Sequence, residues 1–529
     1  MKNNEKEKYF CFHGHFYQPP RECPWFNTIE KQPSAAPFDN WNARINNECY
    51  EANGRAPIIN SDGTVLDVVN NYAWMSFNMG PTLLSWMEKH AQETYKYVLE
   101  GDQASQKRLG HGNAIAQVYN HMIMPLAHGQ DQKTQVIWGK EDFRFRFGRE
   151  PEGMHLAETA VNTATLEALA AEDIKFTILA PRQAKRWRKI DSSEWHEGSI
   201  DPSRSYICKL PSGKSIVIFF YDGPISQAVA FERLLSSGEV FLNRIHTGFS
   251  SSRDHNQLLH LAVDGETAGH HHRHGEMCLS WLFKQLSVDT EVSIINYGAF
   301  LELNPPEWEV EIVENSSWSC SHGIERWRSD CGCKTNHEWH QRWRAPLRDG
   351  MNGLRSKLDT IFSQEGTKYF SDPWSARNAY ISVLLDSSKR CLFVAQHCHR
   401  NLNKQEIVQA FNLLEMERNG MLMFTSCAWF FDDISGIEPI QNLRYAARAI
   451  ELASEFTDED LESALLAFLT AATSNLPQIG NGETVWKHSV KPGAIAKKTQ
   501  LLIAAFKSTL SDLARLGEQL ADTLGIHLE

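Results

Sequence analysis

The chain has 529 residues, 42% of them hydrophobic and 22% charged, which is ordinary globular usage and argues against a disordered or fibrous protein. A formal net charge of −12 supplies no basic face for a phosphate backbone, so no nucleic-acid partner is expected. No window approaches a membrane span or a signal peptide, and the 11 cysteines are odd in number and mostly scattered, so a cytoplasmic protein with reduced thiols is expected.

Along the chain, "KYFCFHGHFY" reads as a strand running into a loop. "PTLLSWMEKHAQETYKYVLEG" has helical spacing with a glycine at its end. "AVNTATLEALAAEDIKFTILA" is a helix followed by a strand, with Glu172 and Asp173 as the turn, and "SYICKLPSGKSIVIFFY" is a hairpin around Pro211, Ser212, Gly213 and Lys214. "LLHLAVD" is a strand, "EMCLSWLFKQLS" a helix and "EVSIINY" another strand. Alternation of this kind implies a mainly parallel sheet, open or closed into a barrel. From about Trp339 helical periodicity takes over, in "LRDGMNGLRSKLDTIF", "DPWSARNAYISVLL", "KQEIVQAFNLLEMERNG" and "TQLLIAAFKSTLSDLARLGEQLADTL". The expected organisation is an α/β barrel over residues 1–338 and a mainly helical C-terminal domain over residues 339–529.

Three polar clusters interrupt the α/β part where strands should end. They are "HGHFYQPPRECPW", with His13, His15, Gln18 and Trp25; "EGMHLAETAVN", with Glu158; and "LAVDGETAGHHHRHGE", with Asp264, Glu266 and His270. Each has a bland alternative. Glu158 precedes a helix and could serve its N-terminus, Asp264 before glycine could close an Asx-turn, and His13 and His15 share one strand face and could simply be hydrogen-bonded inside a packed barrel. Three such strand ends on one α/β frame are more simply explained by a shared pocket.

The segments "HGHFYQPP", "GHGNAIAQVYNHMIMPLA", "GMHLAETAVN", "AVDGETAGHHH" and "SCAWFFDDISG" follow the order of the five sequence regions of glycoside hydrolase family 57, which the chain resembles over most of its length. The resemblance is to a subgroup with an additional C-terminal domain of unknown function. It implies an incomplete (β/α)7 barrel with a helical domain packed against it, acting on α-linked glucans by a retaining mechanism, as an α-amylase, 4-α-glucanotransferase or branching enzyme. By position it implies Glu158 as nucleophile and Asp264 as general acid/base. It also implies His13, His15, His121, Glu266, His270, Trp429 and Asp432 as substrate-binding residues, the last two contributed by the helical part; Trp25, in the first polar cluster, is expected to join them as a stacking face. The chain departs from the pattern in two places: Phe16 and Tyr17 separate His15 from Gln18, and Ala114–Ala116 stand near the position where the second region often has a Glu.

Retaining cleavage needs one carboxylate to attack the anomeric carbon and one carboxylic acid to protonate the leaving oxygen, roughly 5–5.5 Å apart. With Glu158 ionised and Glu266 close, Asp264 should keep its proton to higher pH. That chemistry requires no metal and no organic cofactor. Two other classes compete. A metal-dependent carbohydrate deacetylase could use His270, His271, His272 and His274 as ligands, and a non-catalytic glucan-binding protein could keep the cleft without turnover. Separately, Cys320, His322, Cys331 and Cys333 are either a structural zinc tetrahedron or a loop of reduced thiols, with Trp318 and Trp327 close enough in sequence to line a sugar cleft.

Overall fold

A computed structural model describes residues 6–494. Among the described residues seven parallel strands run round the barrel: β1 (Lys8–Phe16), β2 (Ser76–Met79), β3 (Ala114–Gln117), β4 (Met154–His155), β5 (Phe176–Leu179), β6 (Ser215–Phe220) and β7 (Gln257–Asp264), and a short further strand, Val292–Ile294, also pairs parallel with the start of β1. Most of their residues are buried, as in strands covered on both faces, and the longer ones read largely as apolar runs rather than alternations. β7 pairs with β1, β1 with β2, β2 with β3 and β3 with β4. A single bridge from Gly153 to Phe176 carries the order on to β5, which pairs with β6. Among the described residues there is no ladder between β6 and β7; just past the end of β6, Asp222 N–H donates to the His260 carbonyl at 2.8 Å. The barrel is therefore incomplete at this seam, and the cavity described below opens beside it.

The predicted strands and the hairpin form where expected, the latter pairing Ser205–Lys209 with Ser215–Phe220. The helix expected from "PTLLSWMEKHAQETYKYVLEG" is two helices, Pro81–His90 and Gln92–Leu109, because Ala91 leaves helical geometry at φ −144°. The left-handed cap is Gly110, not Gly101. "DPWSARNAYISVLL" likewise splits at Tyr380 into Pro373–Ala379 and Ile381–Leu385. The strand expected over "EVSIINY" stops at Ile294, since Asn296 accepts from Ala299 N–H and starts a helix at Tyr297.

The C-terminal part is helical, built on α1 (Arg344–Gly366), α2 (Lys404–Leu422) and α3 (Ile437–Ala453). The helix expected over "TQLLIAAFKSTLSDLARLGEQLADTL" lies outside the described residues. A buried charge network clamps the helices to the barrel. Arg355 on α1 makes paired bonds to Asp131 (2.8 and 2.7 Å) and to Glu417 on α2 (3.0 and 2.8 Å). Arg377 bonds the same two acids at 2.9 and 2.6 Å. Asp131 belongs to the barrel helix Gly129–Phe147, so this network crosses the interface. Among the described residues, no helix is long and apolar enough to cross a membrane.

Candidate active site

A cavity of about 1130 Å³ opens at the C-terminal ends of the barrel strands, with Glu158, Asp264, Tyr221, Trp318, Ser319 and Arg326 in its walls. Glu158 follows β4 and Asp264 ends β7, so the acids come from separate strand ends. Neither is occupied as a cap. The helix after Glu158 starts at Thr163 and is capped by Asn162, whose side chain accepts from Thr165 N–H. The side chain of Asp264 makes no capping bond to the turn it precedes.

Two hydrogen bonds hold Glu158, and both end on Oε2: Trp318 Nε1–H donates at 2.9 Å and the Ser319 hydroxyl at 2.5 Å. Among the described residues no donor reaches Oε1, which leaves one oxygen free to react. The backbone here is unusual, with Glu158 at φ 57° and Thr159 at φ 50°. A β-branched residue in the left-handed region is strained by roughly 1–2 kcal/mol. Gln183 secures it: its amide donates to the Thr159 carbonyl at 2.8 Å and accepts from the Thr159 hydroxyl at 2.8 Å. The same amide bonds Ser316 at 3.2 Å, and Trp318 N–H donates to the Glu158 carbonyl at 3.0 Å, so one residue registers both loops.

Asp264 differs in its partners. Its carboxyl opens onto the cavity, yet protein surrounds it at longer range, and no donor among the described residues bonds it. Burial, then the charges of Glu266 and Glu158, push it from 3.8 up to about 8. The carboxyl's own exposure moderates the burial part; the repulsion by two neighbouring carboxylates remains. Burial also raises Glu158, but Ser319, Trp318 and the Arg326 charge oppose that rise. The net direction for Glu158 is still upward, but two donors and a cation work against it, whereas every cause acting on Asp264 favours the proton.

Glu266 is buried behind Asp264 and accepts from Tyr50 Oη–H at 2.5 Å and Tyr17 N–H at 3.2 Å. Burial raises it to about 7 against these donors and the Gln18 amide. Gln18 therefore reaches the acid cluster despite the two-residue insertion before it. Gly265, between the two acids, allows this arrangement because a Cβ there would lie 2.4 Å from the Phe16 ring.

The histidines of β1 are buried and do not line the cavity. Register sets His15 opposite Asp264 on β7 and opposite Asn78 on β2. His13 bonds Ser76 (3.0 Å) and Asn78 (3.2 Å); His15 bonds Asn78 (2.8 Å) and His121 (3.1 Å). His121, at φ 53°, bonds the Ser426 hydroxyl at 2.6 Å and stacks on Tyr17. Its contact with Ser426 ties the barrel floor to the helical part. Sequence reasoning missed His155, which stacks on His15 with ring centroids 4.2 Å apart. Burial keeps all four neutral, pushing His13 down to about 3 and His15 to about 4.

None of the eight expected substrate-binding residues lines the cavity, and four of them are engaged elsewhere altogether. His270 bonds Glu48 at 2.5 Å and lies edge-on to Trp41. Trp25 donates to Glu451 on α3 at 2.7 Å. Trp429 is fully buried, donates to the Arg344 carbonyl at 3.3 Å and lies under the Arg348 guanidinium, so its ring fills core space; its neighbour Phe430 is the one in the cavity wall. Asp432 accepts from Thr335 and Asn336 N–H groups and fixes the loop before α1. The histidine tract does not converge: among the described residues the one cluster able to hold a metal is Cys320, His322, Cys331 and Cys333.

The sequence profile of glycosyl hydrolase family 57 matches residues 27–312. The chain belongs to glycosyl hydrolase family 57. A domain of unknown function, DUF3536, matches residues 339–519. None of the curated proteins matches in sequence. In fold, this family 57 chain is similar to an exo-type maltose-forming amylase from Pyrococcus sp. ST04, with TM-score 0.67 at 16% identity over 93% of this chain and 94% of that one. It is also similar to a family 57 branching enzyme from Pyrococcus horikoshii (TM-score 0.53, 14% identity, 88% and 94% covered). A 4-α-glucanotransferase from Thermococcus litoralis shares the fold at TM-score 0.51 and 13% identity, with 86% of this chain and 61% of that one covered. The incomplete (β/α)7 barrel followed by helices is thus the family arrangement, and the protein is a glycoside hydrolase by family.

Proposed function

We propose that the chain cleaves α-linked glucans with retention, through a glycosyl-enzyme on Glu158, with Asp264 as general acid and then general base. The observation that carries this is the contrast between the two acids in one cavity: Glu158 is donor-held through Oε2 with Oε1 free, and Asp264 is donor-free beside two like charges. Oε1 attacks the anomeric carbon while Asp264 protonates the departing glycosidic oxygen; Asp264 then takes a proton from the incoming water or sugar hydroxyl. Trp318 and Ser319 hold the carboxylate in place before attack, and the Trp318, Tyr221 and Phe430 rings offer faces to sugars.

The α-glucan class rests on the fold relatives, which comprise a maltose-forming amylase, a glucanotransferase and a branching enzyme. A cavity of about 1130 Å³ exceeds the roughly 300–1,000 Å³ of a drug-sized site, which suits more than one sugar residue. We assign residues 1–338 to the catalytic barrel and 339–529 to a helical domain that completes the cleft, since Phe430 reaches its wall. The test is an activated fluorinated α-glucoside whose intermediate breaks down slowly, followed by mass analysis of the digested protein. A glycosyl adduct on the peptide containing Glu158 is expected, and none on Glu158→Gln. An adduct elsewhere, or near-normal turnover by folded Glu158→Gln, overturns the assignment. Reducing-end and chain-length assays on a panel of α-glucans then separate hydrolysis, transfer and branching.

A further inference from the structure

The loop that presents Trp318 and Ser319 to Glu158 runs directly into a set of soft ligands that the chemistry above does not use. The sulfurs of Cys320, Cys331 and Cys333 and a ring nitrogen of His322 all lie within 4.8 Å of one another. Sγ of Cys320 is 3.9 Å from Sγ of Cys331 and 3.7 Å from Sγ of Cys333, and His322 Nδ1 is 3.6 Å from Sγ of Cys333. A tetrahedral zinc ion, with bonds of about 2.3 Å to sulfur and about 2.0–2.1 Å to nitrogen, sets two sulfurs roughly 3.8 Å apart and a sulfur and a nitrogen roughly 3.5 Å apart. These three separations match three of the six edges of that tetrahedron, and the remaining pairs, within 4.8 Å, need only a small inward movement on loading. A disulfide would bring two sulfurs to about 2.05 Å, and all three cysteines are free.

The backbone is shaped for the same end. Gly332, at φ +87°, turns the chain between Cys331 and Cys333 and lets both thiols face one point. Arg344 donates to the Cys333 carbonyl at 2.9 Å and Arg182 to the Ser317 carbonyl at 2.8 Å, which fixes the chain on either side of the ligands. His322 is exposed and gives an entry path, whereas Cys320 is buried.

We propose that Cys320, His322, Cys331 and Cys333 bind one zinc ion, and that the ion pins the loop holding Trp318 and Ser319 against Glu158. Four protein ligands leave no open position, so the site is structural. Three thiolates and a neutral imidazole, without a carboxylate, select zinc over magnesium or calcium. Loading releases the remaining thiol protons and forms four metal–ligand bonds, with no change of oxidation state.

The test uses the full chain without a polyhistidine tag, exposed to zinc, dialysed against metal-free buffer and analysed for metal content. About one zinc per chain is expected, and cobalt substituted for it should show the intense visible bands of tetrahedral thiolate coordination. His322→Ala and Cys333→Ser should each lose most of the metal. A strong chelator should lower the thermal midpoint of the wild type and not that of His322→Ala. If Cys333→Ser fails to fold, His322→Ala, altered only at an exposed side chain, still decides the matter. Wild-type protein that retains no zinc, or variants that retain the full complement, would overturn the proposal. Metal content is read without turnover, so a zinc-loaded protein inactive on every α-glucan would defeat the functional reading and leave this one standing.

Discussion

Asp264→Asn should separate what the acid does for catalysis from what it costs the fold. Its carboxyl is raised from 3.8 to about 8, so the folded protein keeps a proton that the unfolded chain releases between those values. Stability is therefore lost as pH rises through this window and the loss is complete above about pH 8. At about 1.36 kcal/mol per pH unit the full displacement would amount to about 6 kcal/mol. The carboxyl is wetted by the cavity, however, and solvent screening brings the cost to about 1–3 kcal/mol. Asparagine does not titrate and escapes this cost. Thermal unfolding of both proteins at about pH 4.5 and about pH 8.5 should show the variant gaining on the wild type by about 1–3 kcal/mol at the higher pH and much less at the lower. In the same variant, turnover of glucans with poor leaving groups should fall roughly 10²–10⁴-fold. An activated α-glucoside should still form the intermediate, and azide, which needs no deprotonation, should release it as the α-glycosyl azide. A variant whose relative stability is the same at both pH values refutes the burial and repulsion argument. A β-azide refutes retention, and absence of rescue moves the acid/base role to another group, Glu266 being the first candidate.

Three further outcomes follow from the same geometry. Glu266→Gln removes one of the two like charges that raise Asp264, so the alkaline limb of the kcat/KM profile should move to lower pH; an unmoved limb would show that Asp264 does not sense Glu266. Trp318→Phe removes a donor that favours ionised Glu158, so the acid limb should move to higher pH, and a shift the other way would contradict the donor's role. Arg355→Met leaves Asp131 and Glu417 short of a buried counter-charge and should cost about 3–5 kcal/mol in urea unfolding, against near neutrality if the network contributes nothing to the interface.

Much of this site was legible in the sequence because local rules govern its parts. An apolar run that ends abruptly in acid and glycine marks a buried parallel strand and the loop beyond it, and this placed Asp264 at a strand end; Glu158 lies three residues beyond its own short strand. The order of five short motifs was enough to point to the family. Helix breaks at Ala91 and Tyr380 were not legible, since no proline or glycine marks them. Trp429 and His270 carry residue types suited to sugar contacts, but which way a side chain faces is decided by the elements packed around it, here Arg348 and Glu48. Trp318, Ser319 and Gln183 lie 160, 161 and 25 positions after Glu158, and nothing local connects them to it. Their meeting requires the barrel to close far enough to bring the loop after β4 beside the loop preceding the helical domain. The sequence by itself determined which groups could do the chemistry; only tertiary structure decided their protonation. Burial and the separations between Glu158, Asp264 and Glu266 are properties of the assembled cavity, and a carboxyl's preference for its proton depends on those two quantities.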